Sequence, residues 1–369
     1  MKILVFSDRD IKHPFSGGSM INIHEQAKRW VSWGHQVTMI TTKPKGSSRR
    51  DTMDGVEVYL VGNRYTVYLL APLLYLVSLR NRANVVLDII NGIPFCTPLF
   101  SRKPKVGLMH HVHREMFLIE LGPLLGRLGL SIERYMVPLL YRNVPVITVS
   151  QSSMKQLREL LHRGDMLDIR LVYNGIDHQV YHGDGNKFAR PTVLCLGRVK
   201  RYKQIPRLIC MMPAVRREVP DVELIIAGGG DAADEVEQEI ERLGVGDFVQ
   251  YRGFVSEEEK LRLYSQAWVM ATPSLIEGWG LTVMEANACG TPAVAFNAPG
   301  LNESIVNDRN GLLASDDRQF VKHLIDILKK TSLRQRLEAG AVKRADEFNW
   351  DDVARQSLEV LEEAVASRP

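Results

Sequence analysis

Short apolar runs of five or six residues alternate with stretches of helical period along the chain, and they do so in two successive series. The first stands at 2–7, 36–41, 56–61, 85–90, 105–109 and 144–149, the second at 192–197, 222–227, 247–252, 268–272 and 292–296. Runs this short and this continuously apolar fit strands buried on both faces. Their alternation with helices predicts mostly parallel sheets covered on both sides. Two series in 369 residues predict an α/β chain of two doubly wound, Rossmann-like domains. His178 to Pro191, rich in Gly, Asp, His and Asn, reads as the hinge or linker between them. The expected boundaries are 1–182, 183–348 and a tail of 349–369 whose helix runs from Trp350 to Ala366. Ligands of such sheets bind beyond the carboxyl ends of the strands, so the site is expected in the cleft that the linker spans.

Within the second series, Glu277-Gly-Trp-Gly-Leu-Thr-Val-Met-Glu285 places two carboxylates around a helix start at Gly280. The helix, Leu281 to Ala288, would offer unpaired N–H groups and the positive end of its dipole to a phosphate. Carboxylates repel a diphosphate, so Glu277 and Glu285 suit its uncharged parts, where sugar hydroxyls can donate to them. Arg198 and Lys203 follow the run 192–197. Cations are unfavourable at a helix start, which favours a role on a developing anion over solvated surface charge. Further positions fall after strands: Ser16-Gly17-Gly18-Ser19, His110-His111-Val112-His113, Gly228-Gly229-Gly230 and Arg252-Gly253-Phe254-Val255. Val172 to Asp177 and Pro299 to Glu303 complete the set, and a capping box is expected at Ser256 and Glu259. Gly228 to Gly230 do not complete a dinucleotide fingerprint, because Ala233 stands at its last glycine.

Taken together, these motifs resemble the retaining glycosyltransferases of family 4, group 1, with the GT-B fold of two facing Rossmann-like domains. The resemblance implies a donor domain in the second half, an acceptor domain in the first, and a last helix that crosses back to the first. It implies that Glu277 touches donor-sugar hydroxyls, that Glu285 holds the ribose, and that N–H groups of Gly280, Leu281 and Thr282 meet the distal phosphate. Arg198 and Lys203 would stabilise the leaving diphosphate, and Gly17 and Gly18 would approach the donor phosphates. Gly229 and Gly230 would flank the nucleotide, and the Phe254 segment would pass its base. His110 is the best match to the family's sugar-contacting histidine and His111 the fallback. The implied reaction moves a hexose-type sugar from a nucleoside diphosphate donor, UDP in preference to GDP, to an acceptor hydroxyl with retention. No metal or other cofactor is implied; Asp8-Arg9-Asp10 makes a poor metal site. A sugar-nucleotide epimerase or hydrolase, and a non-catalytic nucleotide-sugar sensor, are the rival readings.

Charge is unevenly shared. Residues 1–182 carry 23 Lys and Arg against 14 Asp and Glu, whereas 183–369 carry 24 against 29. A basic acceptor half suits an anionic or lipid-linked acceptor, and no nucleic-acid partner is expected. Val67 to Leu79 and Leu121 to Leu140 are apolar and carry arginines, yet neither has the roughly 20 apolar residues of a spanning helix. They read either as core helices with solvated basic ends or as segments that rest on an anionic membrane. The apolar start is too brief for a signal peptide, which places the expectation in the cytoplasm, at the inner face of the membrane. Cys96, Cys195, Cys210 and Cys289 form no close pair, so neither a disulfide framework nor a zinc site is expected.

Overall fold

The computed structural model describes residues 1–13, 16–114, 116–161 and 168–367. The chain divides into two compact units, Met1–Gly175 with Trp350–Pro369, and Ile176–Asn349.

The first unit holds strands β1 (Lys2–Phe6), β2 (Gln36–Thr42), β3 (Arg50–Met53), β4 (Val56–Val61), β5 (Val85–Ile89), β6 (Lys105–Leu108), β7 (Val146–Thr148) and β8 (Ile169–Leu171). They form one eight-stranded sheet in the order β3-β4-β2-β1-β5-β6-β7-β8. All pairs are parallel except β3 with β4. Strand β3 is absent from the sequence reading because Arg50-Asp-Thr-Met has no apolar run. The signal that marks it is the next dipeptide, Asp54-Gly55, whose φ values of 49° and 81° are those of a two-residue hairpin turn. The Gly18–Ser32 helix covers this sheet, and Trp30, fully buried, donates its indole N–H to the Ala354 carbonyl at 2.8 Å. Arg29 pairs with Asp351 at 2.5 Å, so the Trp350–Ala366 helix is fixed to the first unit.

The second unit holds β9 (Thr192–Leu196), β10 (Glu223–Ala227), β11 (Val249–Tyr251), β12 (Val269–Thr272), β13 (Ala293–Phe296) and β14 (Gly311–Ala314). They form an all-parallel sheet in the order β11-β10-β9-β12-β13-β14. Its inner strands are buried along nearly their whole length, as a sheet with helices on both faces requires. Among the helices is Leu281–Ala288, the span expected from the sequence. Ser256 caps the Glu257–Gln266 helix by accepting from Glu259 N at 3.1 Å. The box is only half made, because the Glu259 carboxylate is held by Arg252 and Arg262 at 2.6 Å each.

The polar stretch before β9 is fastened to the second unit. Lys187 Nζ donates to the carbonyls of Ser265, Ala267 and Gly290 at 3.0–3.1 Å and to Thr291 Oγ1 at 2.9 Å. Phe188 N donates to Gln266 O at 2.8 Å, and the Trp268 indole N–H donates back to Phe188 O at the same distance. Burial pushes the Lys187 ammonium down to about 8. Replacing Lys187 by Met leaves the Ser265 and Gly290 carbonyls without this donor, while Ala267 O keeps Thr291 Oγ1 at 3.1 Å, and each such buried group costs roughly 1–3 kcal/mol. Lys187→Met is expected to lower the stability of the second unit by about 2–4 kcal/mol, read as a lower urea midpoint.

Candidate functional site

In the second unit the chain leaves β9 toward β10 and β11 on one side, and leaves β12 toward β13 and β14 on the other. Loops that diverge from adjacent parallel strands open a crevice at their carboxyl ends. A shallow recess lies there, lined by Gly197, Arg198, Lys203, Thr272, Ser274 and Thr282 among others.

Glycines shape its floor. A methyl on Gly228 (φ +125°) would fall 1.9 Å from the Gly197 carbonyl oxygen, and one on Gly230 would fall 2.0 Å from that of Val199. Gly197 N donates to Ala227 O at 3.0 Å and Val199 N to Gly229 O at 2.9 Å. The two turns therefore meet backbone to backbone, which fixes the loop that carries Arg198. A methyl on Gly229 would fall 2.1 Å from the ring of Phe254, which lies over the glycine and is 75% exposed.

Lys203 ends a short 3-10 turn, Arg201–Lys203, held to the neighbouring loop by Leu275 N donating to Tyr202 O at 3.0 Å. Its ammonium is paired with the Glu277 carboxylate. Burial is the largest influence and works against that ammonium, but the charge and hydrogen bond of Glu277 together with Tyr202 raise the Lys203 value above the ordinary one. Glu277 N donates to Pro299 O at 3.0 Å, and a methyl on Gly300 (φ +81°) would fall 2.2 Å from Glu277 O, so the Pro299-Gly300 turn supports this carboxylate closely. Arg198, by contrast, has no ion-pair or hydrogen-bond partner among the described residues. The same holds for two buried hydroxyls of the recess, Thr272 Oγ1 and Ser274 Oγ.

Gly280 (φ +86°) starts the Leu281–Ala288 helix, and its carbonyl accepts from Val283 N and Met284 N. The N–H groups of Leu281 and Thr282 thus fall in the unsatisfied first turn, with Thr282 on the recess wall. Glu285 is not part of that wall. It is buried, accepts from Tyr264 Oη at 2.8 Å, and has its carboxyl raised by burial, with Lys260 and the hydroxyls of Tyr264 and Tyr181 opposing.

The first unit carries a second group beyond its own strand ends. His110, just past β6, is buried, and neither ring nitrogen has a hydrogen-bond partner among the described residues. Burial pushes its imidazole down to about 4, with Asp8 acting in the opposite sense. Asp8 follows β1, and Asn91 Nδ2 beyond β5 donates to it at 3.3 Å. The His111 ring lies 4.4 Å from that of His113, which stacks on Phe117 at 5.0 Å. The chain here is held by Glu133, which accepts from His113 N at 2.7 Å and Arg114 N at 2.8 Å. Gly17, extended at φ −167°, precedes the helix that starts at Gly18, and its carbonyl accepts from Met20 N and Ile21 N. Asn22 of that helix donates to Asn174 Oδ1 at 2.6 Å, which ties the Val172–Asp177 motif to it. Among the described residues no three metal-ligating side chains cluster.

Thr272, Ser274, Tyr264, Asn22 and Glu133 were not legible as site or support residues. Thr272 and Ser274 could have been found by asking which residues follow β12 as Arg198 follows β9.

Residues 183–344 match the family described as Glycosyl transferases group 1, and residues 16–180 match Glycosyltransferase Family 4. The chain belongs to the group 1, family 4 glycosyltransferases. Its two sheets, parallel but for β3, are those of the GT-B fold. An uncharacterized glycosyltransferase of Methanocaldococcus jannaschii is 29% identical over 241 residues, 61% of each chain. A D-inositol 3-phosphate glycosyltransferase of Nocardioides sp. is 29% identical over 234 residues, 56% of this chain and 51% of that protein. The matches thus span about half to three fifths of those relatives. HepE of Anabaena, solved in complex with UDP and glucose, aligns over 98% of this chain and 100% of its own with a TM-score of 0.77 and 20% identity.

His110 gives this family member a pH signature. Its folded value of about 4 lies below the ordinary 6.5. As pH falls the unfolded chain takes up that proton first, so the contribution is complete above 6.5 and is lost as pH falls through 4. The loss is expected to reach about 3 kcal/mol. Urea unfolding between pH 7 and 4 should show a shallower decline for His110→Asn than for the unaltered chain.

Proposed function

We propose that this chain moves a hexose-type sugar from a nucleoside diphosphate donor to an acceptor hydroxyl with retention at the anomeric carbon, giving an α-glycoside. The observation that carries this reading is the recess beyond β9 and β12. It combines an unpartnered guanidinium, a paired ammonium, two orphaned hydroxyls and a helix N-terminus. Such a set suits a diphosphate, and stabilises it more as the sugar bond breaks and charge develops.

In this reading Arg198 and Lys203 hold the leaving diphosphate, and the N–H groups after Gly280 meet its distal phosphate. Glu277, already oriented by Lys203, accepts from donor-sugar hydroxyls, and Glu285 takes the ribose after exchanging its bond from Tyr264. Gly229 and Gly230 hold the turn beside the nucleotide, and Phe254 presents a ring to the base. His110, neutral and unpartnered, contacts the donor sugar; His111 is less suited because its ring is packed on His113. Gly17 and Gly18 approach the donor phosphates. No carboxylate is assigned as a covalent nucleophile; the departing phosphate oxygen takes the acceptor proton. The donor is a UDP-sugar in preference to a GDP-sugar, a choice that the UDP complex of HepE favours. No metal is required. The acceptor is anionic or lipid-linked and met at a membrane surface inside the cell, in cell-surface polysaccharide or glycolipid synthesis. The excess of Lys and Arg in residues 1–182 and the inositol phosphate named for one relative support this.

UDP- and GDP-sugars screened for thermal stabilisation and slow nucleotide release test the reading. Arg198→Ala is expected to weaken UDP binding by about 10–100-fold, on the scale of a lost charge-assisted contact. EDTA is expected to leave release unchanged, and NMR of the product should show the donor's anomeric configuration. A well-folded chain that no nucleotide sugar stabilises overturns the proposal.

A further inference from the structure

Ordinary surface helices turn apolar residues inward and charges outward. Two segments of the first unit do otherwise. From Val67 to Leu79 the buried positions recur every four residues, at Val67, Ala71, Tyr75 and Leu79. The opposite face is also apolar, with Leu69, Leu73 and Val77 exposed, the last at 76%. The Met116–Ser131 helix is broken at Gly122 (φ +74°) before Pro123, and its second half lies back on the first. Methyls on Gly126 and Gly129 would fall 2.7 Å from Phe117 O and from the Phe117 ring. Glycines thus face the protein, while Leu124, Leu125 and Leu128 face outward, Leu124 at 81%. The Val137–Tyr141 helix continues the pattern with exposed Leu139. The short Thr97–Phe100 helix, with exposed Leu99, joins the two segments. It packs against the Val137–Tyr141 helix, and Ser101, just after it, is hydrogen-bonded to Tyr75 Oη at 2.7 Å.

Charge completes the pattern. Arg64, Arg80, Arg102, Arg127, Arg134 and Arg142 are exposed around these leucines, and among the described residues none is paired with a carboxylate. Arginines of the second unit such as Arg201, Arg207, Arg216 and Arg336 are paired. Exposed Tyr65 and Tyr135 lie beneath the guanidiniums of Arg64 and Arg134, at 4.5 and 5.8 Å. Apolar side chains ringed by amphipathic tyrosines and by cations without carboxylate partners match the layering of a bilayer interface. A second copy of the chain would bring like charges together.

We propose that this leucine-edged face docks on an anionic phospholipid bilayer, its leucines entering the acyl boundary and its arginines meeting the lipid phosphates. The inference deepens the proposed membrane contact and rests on that reading for its partner. Among the described residues no helix is long and apolar enough to cross a membrane, so the face lies on the bilayer.

The test is sedimentation of the full chain with sucrose-loaded vesicles of phosphatidylcholine, with and without phosphatidylglycerol, at low and high salt. Strong pelleting is expected only with phosphatidylglycerol. Leu124→Ser/Leu128→Ser and Leu73→Ser/Val77→Ser should each lower the partition coefficient by about tenfold or more. Arg127→Gln/Arg134→Gln should lower it several-fold and flatten its salt dependence. Circular dichroism and UDP binding should be unchanged in every variant, since all these side chains are exposed and lie outside the nucleotide recess. Three results overturn the proposal: no pelleting at low salt, leucine variants that pellet like the unaltered chain, or self-association that the same substitutions abolish. Vesicle binding is read without donor or acceptor. UDP binding without pelleting therefore sinks the docking face alone, and pelleting without nucleotide binding sinks the transferase reading alone.

Discussion

The second unit depends on one contact in which no side chain takes part. Gly228 and Gly230 lie directly on the Gly197–Val199 turn, closer than any Cβ permits. The hydrogen bonds from Gly197 and Val199 prolong the β9–β10 ladder past the strand ends. Both neighbours of Arg198 are thereby held by backbone, and its side chain is left uncommitted. Local backbone is spent on placing a charge rather than on packing, a pattern characteristic of sites.

Around that charge the electrostatics are graded. Lys203 and Glu277 satisfy each other and are held by adjacent turns, so both are oriented without being neutralised by solvent. Glu285 lies deeper, where burial disfavours its charge and two tyrosine hydroxyls and Lys260 restore part of it. Each group's partner is supplied by a different element: the 3-10 turn for Glu277, the Glu257–Gln266 helix for Glu285. The recess is consequently a product of the whole sheet order, and no one loop contains it.

Strands buried on both faces announce themselves by continuous apolar runs, so β1, β2, β4 and β9 were legible at once. So was the Leu281–Ala288 helix, from its glycine start. Strand β3 was hidden because an edge strand answers to its hairpin turn and not to a core. Strands β8 and β14 were hidden because Arg170 interrupts the first and the second offers only Leu312-Leu313-Ala314 after Gly311. Among the candidate site residues, Arg198, Lys203 and Glu277 were readable because charge after a strand is conspicuous. Thr272 and Ser274 were not, since a hydroxyl is common on any loop and only the loss of all its partners on burial marks it. His110 and His111 could not be told apart by sequence, because which ring stacks on His113 is decided by packing. Lys187 was hidden by its polar surroundings, which read as linker although its ammonium gathers three carbonyls from the second unit.

Glu133 acts as a mechanical link. It belongs to the stretch whose outer surface is leucine, yet its two oxygens are committed to the amides of His113 and Arg114, three and four residues past His110. A carboxylate gripping two successive amides works as a rigid rod between the outer segment and the histidine loop. Neither end can shift by an ångström without breaking a buried charge-assisted bond, so whatever steadies the leucine-edged segment also steadies the imidazole beside it.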